Sequence, residues 1–360
     1  MGDAETVSAY GILSRSATLI DMTLDHPWTE PPAPAETIDV APGIRWLRMP
    51  LPFALNHINL WLLDDGPGVA IVDTGVGLPD TRALWERVFA ERLGGRPVTR
   101  VVVTHFHPDH IGNAGWLTER WGVDLWCPQG ECLSARLASR ATSPEDFAPR
   151  LAHFRRNGAD ADALGRLSQR GNHYPGLVPS VPGEYRAIRE ADVLPIGGRN
   201  FRVLTVLGHA PEHACLLSAE DSVLISGDQV LPKITTNVSV WAEQPWANPL
   251  RLYLDSLDRF RPMPADTLVL PSHGLPFRGL HERIAMLRDH HAARLAETLD
   301  ALREPRSAAE VVPVLFRRQL DTHQLSFAMG EALAHLHFLE ADGRAARVVG
   351  EDGVHRFRKA

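Results

Sequence analysis

Four residues able to ligate a metal, His105, His107, Asp109 and His110, fall within the six-residue run HFHPDH. In an extended segment residues two apart face the same way, so His105 and His107 reach one ion together. Asp109 and His110, beyond the turn at Pro108, address a second. Such crowding of ligand types in one polar loop has no packing purpose. Three more candidates each stand just past an apolar run that reads as a strand: His209 after FRVLTVLG, Asp228 after SVLISG and His273 after TLVLPS. Ligands at the same ends of several strands converge on one rim, and Gly208, Gly227 and Gly274 beside them permit close backbone approach. Seven ligands suffice for two ions. One takes His105, His107 and His209; the other takes Asp109, His110 and His273, with the Asp228 carboxylate bridging.

The elements that must position these residues are legible as changes of period. Apolar runs broken by turns across 44–74 (WLRMPL, INLWLL, VAIVDTG) predict successive strands, followed by a helix over 81–93. A strand over 98–103 leads straight into HFHPDH. Ile111, Ala114, Leu117 and Trp121 then recur at helical spacing up to Gly122, a C-terminal cap. The polar block at about 129–190 reads as a helical insertion and a candidate lid, with Ser143, Pro144 and Asp146 marking a helix start. Further strands are expected over 201–206, 222–226 and 267–270. An amphipathic helix follows over 280–302, a second begins at the Ser307/Glu310 capping pattern, and a third covers 327–339. The chain ends in a hairpin around Asp352-Gly353. This divides the chain into an N-terminal arm (1–36) ending in HPWTEPPAPAE, a catalytic domain (37–280) and a winged-helix-like C-terminal module (281–360).

Taken in order, HFHPDH, LGHAPEH, SGDQ and PSHG resemble the successive metal motifs of the metallo-β-lactamase superfamily over roughly residues 40 to 280, and in detail its glyoxalase II and lactamase-beta-2-like branch. The resemblance implies an α+β fold, a four-layer αββα sandwich with metals at one edge of its sheets. Asp228 in place of a cysteine resembles the di-metal hydrolases, in which a carboxylate bridges the ions. The expected cofactors are two divalent ions, zinc first, with iron or manganese also accepted by imidazole and carboxylate ligands. They would lower the pKa of a shared water from ~15.7 toward ~7, and the resulting hydroxide would attack the carbonyl of a thioester, ester or lactone. Asp109 is the expected catalytic residue, orienting the nucleophile and relaying its proton. The resemblance also makes Asp73, in IVDTG, a support near the metals; a turn residue bonded to backbone is the alternative.

Candidate substrate contacts are Lys233, His213, Tyr174 and Trp241. Lys233 would meet an anionic group, against a solvated surface lysine. His213 lines the site or packs, since the first ion already has three histidines. Tyr174, Trp241 and Trp246 wall a pocket or belong to the core. His290 and His291 fall on the polar side of the long helix and read as solvated. Cys127, Cys132 and Cys215 read as buried apolar fillers.

The net charge of −7 and the balance of nine basic against eight acidic residues over 303–360 argue against a phosphate-tracking surface. No stretch approaches the ~20 apolar residues that span a bilayer, and three cysteines without ligand spacing fit a reducing cytoplasm. The expected partner is a small-molecule substrate rather than a membrane or nucleic acid. Three other functions are open: a nuclease or phosphodiesterase of the same fold, a mononuclear iron sulfur dioxygenase, and DNA binding or homodimerisation through the C-terminal module.

Overall fold

A computed structural model describes residues 24–53 and 55–360. The apolar runs form two mixed sheets. The first holds β1 (Thr37–Ala41), β2 (Ile44–Pro50), β3 (His57–Asp65), β4 (Gly68–Val72), β5 (Val98–Val102), β6 (Leu125–Pro128) and β7 (Arg186–Ile188), adjacent in that order. The first four pair antiparallel and β4 to β7 pair parallel. The second holds β8 (Val193–Ile196), β9 (Arg199–Val206), β10 (His213–Ser218), β11 (Val223–Gly227) and β12 (Leu268–Pro271), also adjacent in chain order, with only β11 and β12 parallel.

Strand pleating sorts side chains between layers. From β3, Ile58, Leu60 and Leu62 pack on helices α1 (Pro79–Glu91) and, beyond the short α2 (Pro108–Ile111), α3 (Ala114–Trp121). The intervening Trp61 and Leu63 face the second sheet and meet Phe201, Val203, Leu216 and Ile225. The far face of that sheet, through Leu204, Val206, Leu224 and Val269, packs on helical residues Leu250, Tyr253 and Leu287. The layers therefore run α, β, β, α, as expected.

The block after β6 folds as α4 (Gln129–Arg140), α5 (Pro144–Arg156), α6 (Ala161–Arg170) and α7 (Tyr174–Leu177), with the Ser143/Asp146 capping box in place. It is shorter than expected, because β7, inside the predicted insertion, pairs with β6. After α8 (Pro249–Leu257) and β12 come α9 (Leu280–Ala301), α10 (Ala308–Leu315), α11 (Thr322–Ala341) and a hairpin of β13 (Ala345–Val349) and β14 (His355–Lys359). An Asp321/Gln324 capping box starts α11 five residues before the predicted 327. One hydrophobic cluster runs from Val206 and Val269 through Leu287 to Val311, Leu333 and Phe357. The C-terminal module thus packs against the catalytic domain and shares its core, and α9 belongs to both.

Two further expectations change. His290 is half-buried and His291 is buried against Tyr253 and His335, so neither is a solvated helix-face residue. Residues 1–23 of the N-terminal arm lie outside the described residues; the rest of it is extended but anchored, with Leu24 in the core and Asp25 exchanging backbone hydrogen bonds with Arg278. The three cysteines are free and buried. No helix among the described residues is long and apolar enough to cross a membrane.

Candidate metal centre

All seven sequence-predicted ligands meet at one rim, where they form two groups whose ligand atoms lie within 4.8 Å of one another: His105, His107, His209 and Asp228; and Asp109, His110 and His273. The first three come from the loop after β5 and the turn after β9, Asp228 from the end of β11 and His273 from the end of β12.

Hydrogen bonding fixes which nitrogen four of the five imidazoles present. A carbonyl only accepts, so His209 Nδ1–H donates to the Asn237 carbonyl (2.7 Å) and His273 Nδ1–H to that of His57 (3.0 Å), leaving both Nε2 lone pairs for the centre. The Thr104 hydroxyl donates to Asp73 Oδ2 (2.8 Å), so its oxygen accepts from His105 Nδ1–H (3.1 Å). Asp73 Oδ2 also accepts from His110 Nδ1–H (2.7 Å). Asp73 is therefore a support for the ligands of both groups rather than a turn residue alone. It takes φ +60°, a left-handed conformation that aspartate tolerates.

The resulting donor set fits cations. His105 Nε2 lies 2.9 Å from His107 Nδ1 and 3.2 Å from His209 Nε2, close to the ~3.3 Å between nitrogens ~2.0 Å from a tetrahedral zinc. Burial, reinforced by the neighbouring histidines, pushes His105 well below the ordinary imidazole range and His107 down to about 3, so these nitrogens carry lone pairs at neutral pH. Asp228 faces both groups: Oδ2 stands 3.5 Å from His209 Nε2, and Oδ1 stands 3.5 Å from both His110 Nε2 and His273 Nε2. His110 Nε2 and Asp228 Oδ1 are buried without a hydrogen-bond partner, as expected of atoms reserved for an ion. Burial works against the charge of Asp109, but His110 and His273 outweigh it and hold the carboxyl below its usual range.

Supporting residues outside the motifs complete the centre. Buried Glu131, at the start of α4, accepts from the backbone N–H of Phe106 (2.9 Å) and of Glu212 (2.5 Å), tying two ligand loops together. Burial pushes its carboxyl up to about 8 against the effect of those two donors. An acidic residue in a first helical turn ordinarily signals only the helix dipole, so nothing in the sequence marked it. The Asn59 amide brackets His273 by donating to Pro271 and Gly274 carbonyls (2.8 and 2.7 Å).

The substrate candidates separate. His213 is a correction: it is fully buried, its Nε2 accepts the Asp228 N–H (3.1 Å), and it lies so close under Gly227 that a Cβ there would stand 2.3 Å from its Nε2. It supports the loop and cannot touch substrate. Tyr174 stacks on Phe106 and donates its hydroxyl to the Phe106 carbonyl (2.5 Å), propping the HFHPDH loop. Trp241 is half-buried edge-on to Phe327. Lys233 is exposed on the segment after Asp228. Trp246, 68% exposed and stacked on His355, belongs to neither core nor site.

Residues 55–273 match the Metallo-beta-lactamase superfamily model and residues 295–360 the Metallo-beta-lactamase-like, C-terminal domain model. The chain belongs to the metallo-beta-lactamase superfamily. A beta-lactamase domain protein from Burkholderia ambifaria superposes with a TM-score of 0.89 at 50% identity, covering 95% of this chain and 100% of that one. The probable metallo-hydrolase YqjP of Bacillus subtilis is 26% identical over 82% of this chain and 92% of its own. More partial matches are a linear primary-alkylsulfatase of Pseudomonas (26% identical, 63% of this chain, 44% of that one) and an acyl-coenzyme A thioesterase of Gallus gallus (28%, 52% and 63%). The protein is a hydrolytic enzyme whose histidine and aspartate groups suit metal ions.

Proposed function

We propose that the protein is a di-metal hydrolase of a thioester, ester or lactone, with zinc the expected metal. The observation that carries the reading is the position of Asp228, one oxygen toward each ligand group. It also gives Asp109, His110 and His273 a shared task, which a mononuclear dioxygenase leaves unassigned. The thioesterase among its relatives supports acyl-carrier substrates.

When bound, the two cations supply Lewis acidity, which lowers the pKa of water from ~15.7 toward ~7 and polarises a carbonyl. The chain's own residues do the rest. His105, His107 and His209 would hold one ion and Asp109, His110 and His273 the other, with Asp228 facing both, and the His105, His110, His209 and His273 imidazoles are each oriented by the group that receives their Nδ1–H. Asp109, ionised at neutral pH and 3.3 Å from His273 Nε2, accepts the proton of the attacking water and passes it to the departing thiolate or alkoxide. Tyr174, stacked on Phe106 and bonded to its carbonyl, props the loop that carries His105 and His107.

The test is a panel of thioesters, esters, lactones, phosphodiesters and alkyl sulfates assayed with the zinc-saturated enzyme and its Asp109→Asn variant. Hydrolysis of a thioester, ester or lactone is expected, reduced about 10²- to 10⁴-fold in the variant. Turnover confined to phosphodiesters or sulfates, or a variant with near-wild-type rates, overturns the reading.

A further inference from the structure

A buried cation links α9 to the metal centre. Arg283, in the first turn of α9, is 2% exposed. Its Nε donates to the Leu231 carbonyl (2.6 Å) and its Nη2 to the Ile234 carbonyl (2.7 Å). Burial pushes the guanidinium down to about 10, and the neighbour that opposes this is the Tyr253 phenol of α8, not a carboxylate. A cation held away from water is unfavourable for stability, and the start of a helix is the end at which the macrodipole disfavours positive charge. What the guanidinium supplies there is geometry: two nitrogens on a rigid planar fork fix two carbonyls relative to each other.

The held carbonyls belong to the segment from Asp228 to Ser239, which has neither helix nor strand. Side chains secure it instead. The Ser226 hydroxyl donates to the Val230 carbonyl (2.9 Å), the Thr236 hydroxyl to that of Asp228 (2.5 Å) and the Tyr253 hydroxyl to that of Gln229 (3.2 Å). Three metal ligands depend on where this segment lies. Asp228 opens it. Asn237, near its end, orients His209 through its carbonyl (2.7 Å). Between them Pro232 lies against Gly274, the residue after His273, so closely that a Cβ on that glycine would stand 2.7 Å from the Pro232 Cγ. Leu231 and Ile234, the residues held by Arg283, flank this contact.

We infer that Arg283 is a positioning residue of the metal centre: resting on the hydrolase reading above, it fixes Leu231 and Ile234 so that Asp228, His209 and His273 stay in reach of the two ions. It acts from the helix that the catalytic domain and the C-terminal module share, so that module contributes to metal binding without a ligand of its own. Charge and position predict opposite signs for its removal. The Arg283 charge by itself repels cations, so its loss alone would tighten metal binding, whereas loss of the clamp loosens it.

The test compares wild type, Arg283→Met, Arg283→Lys and Leu295→Ala as intact proteins, by zinc affinity from chelator competition and by the visible absorption of the cobalt(II)-substituted forms. Met keeps the length of the side chain without the donors or the charge, and Lys keeps the charge without the fork. Leu295→Ala opens the buried core about 18 Å further along the same helix. The expected result is zinc affinity about tenfold or more weaker in Arg283→Met, a smaller loss in Arg283→Lys and a shifted cobalt spectrum in both, with neither property changed in Leu295→Ala. Unchanged or tighter zinc binding in Arg283→Met overturns the inference, as does an equal loss in Leu295→Ala. If Arg283→Met does not fold, Arg283→Lys decides on the same two readouts. Hydrolysis of a thioester, ester or lactone by a protein whose zinc affinity is indifferent to Arg283 overturns the positioning role alone. Arg283-dependent zinc binding without any such hydrolysis overturns the hydrolase reading and leaves the positioning role.

Discussion

Asp73 Oδ2 lies 2.7 Å from His110 Nδ1, on the opposite side of that imidazole from Asp109 and Asp228. The same carboxylate receives the Thr104 N–H and hydroxyl, and through Thr104 it reaches His105. Replacing Asp73 by Asn keeps a residue that tolerates positive φ while removing the charge. The expected result is metal affinity 10- to 100-fold weaker at the Asp109, His110 and His273 group, measured by chelator competition. Unchanged affinity would remove Asp73 from the support of the centre.

Glu131 is the joint between the loops carrying His107 and His209, through Phe106 and Glu212. Glu131→Ala leaves two buried N–H groups without an acceptor, and a loss of about 3 kcal/mol is expected in urea unfolding. Glu131→Gln, which retains one acceptor oxygen, should lose roughly half as much. Equal stability of all three proteins contradicts this role.

Away from the centre, burial pushes Glu331 up to about 7 against the pull of Arg294, and burial pushes its helical neighbour His335 down to about 4. Between the unfolded carboxyl range and pH 7 the native state retains a proton on Glu331 that the unfolded chain has lost, so this group's contribution falls as pH rises. His335 acts oppositely: the unfolded chain binds the extra proton between about pH 4 and 6.5, so its contribution grows. Glu331→Gln removes only the falling term. Its melting temperature relative to wild type should therefore rise between pH 5 and 7.5, by roughly a few degrees, and a constant difference contradicts the assignment.

Much of the centre was legible because metal chemistry needs particular side chains next to strand ends, and HFHPDH, His209, Asp228 and His273 carry both signals. The strand β10 was not, since five of its six residues are buried and the alternation that marks a half-buried strand is missing. Of the two readings of His213, packing holds, because a strand carries it beneath Gly227, away from the open side of the centre. The His290/His291 pair was misread because the helix face they occupy turns toward α11 instead of solvent, a fact only the packing of the C-terminal module decides. Glu131 and Asn59 hold backbone groups from loops distant in sequence, and local pattern contains no trace of such contacts.

The central claim is that seven side chains hold two cations bridged by Asp228. Its most direct measurement is metal content by elemental analysis after zinc saturation and removal of excess ion, on wild type and His273→Ala. Two equivalents per chain in wild type and about one in the variant, whose other group is intact, are predicted. One equivalent or none in the wild-type protein contradicts the account.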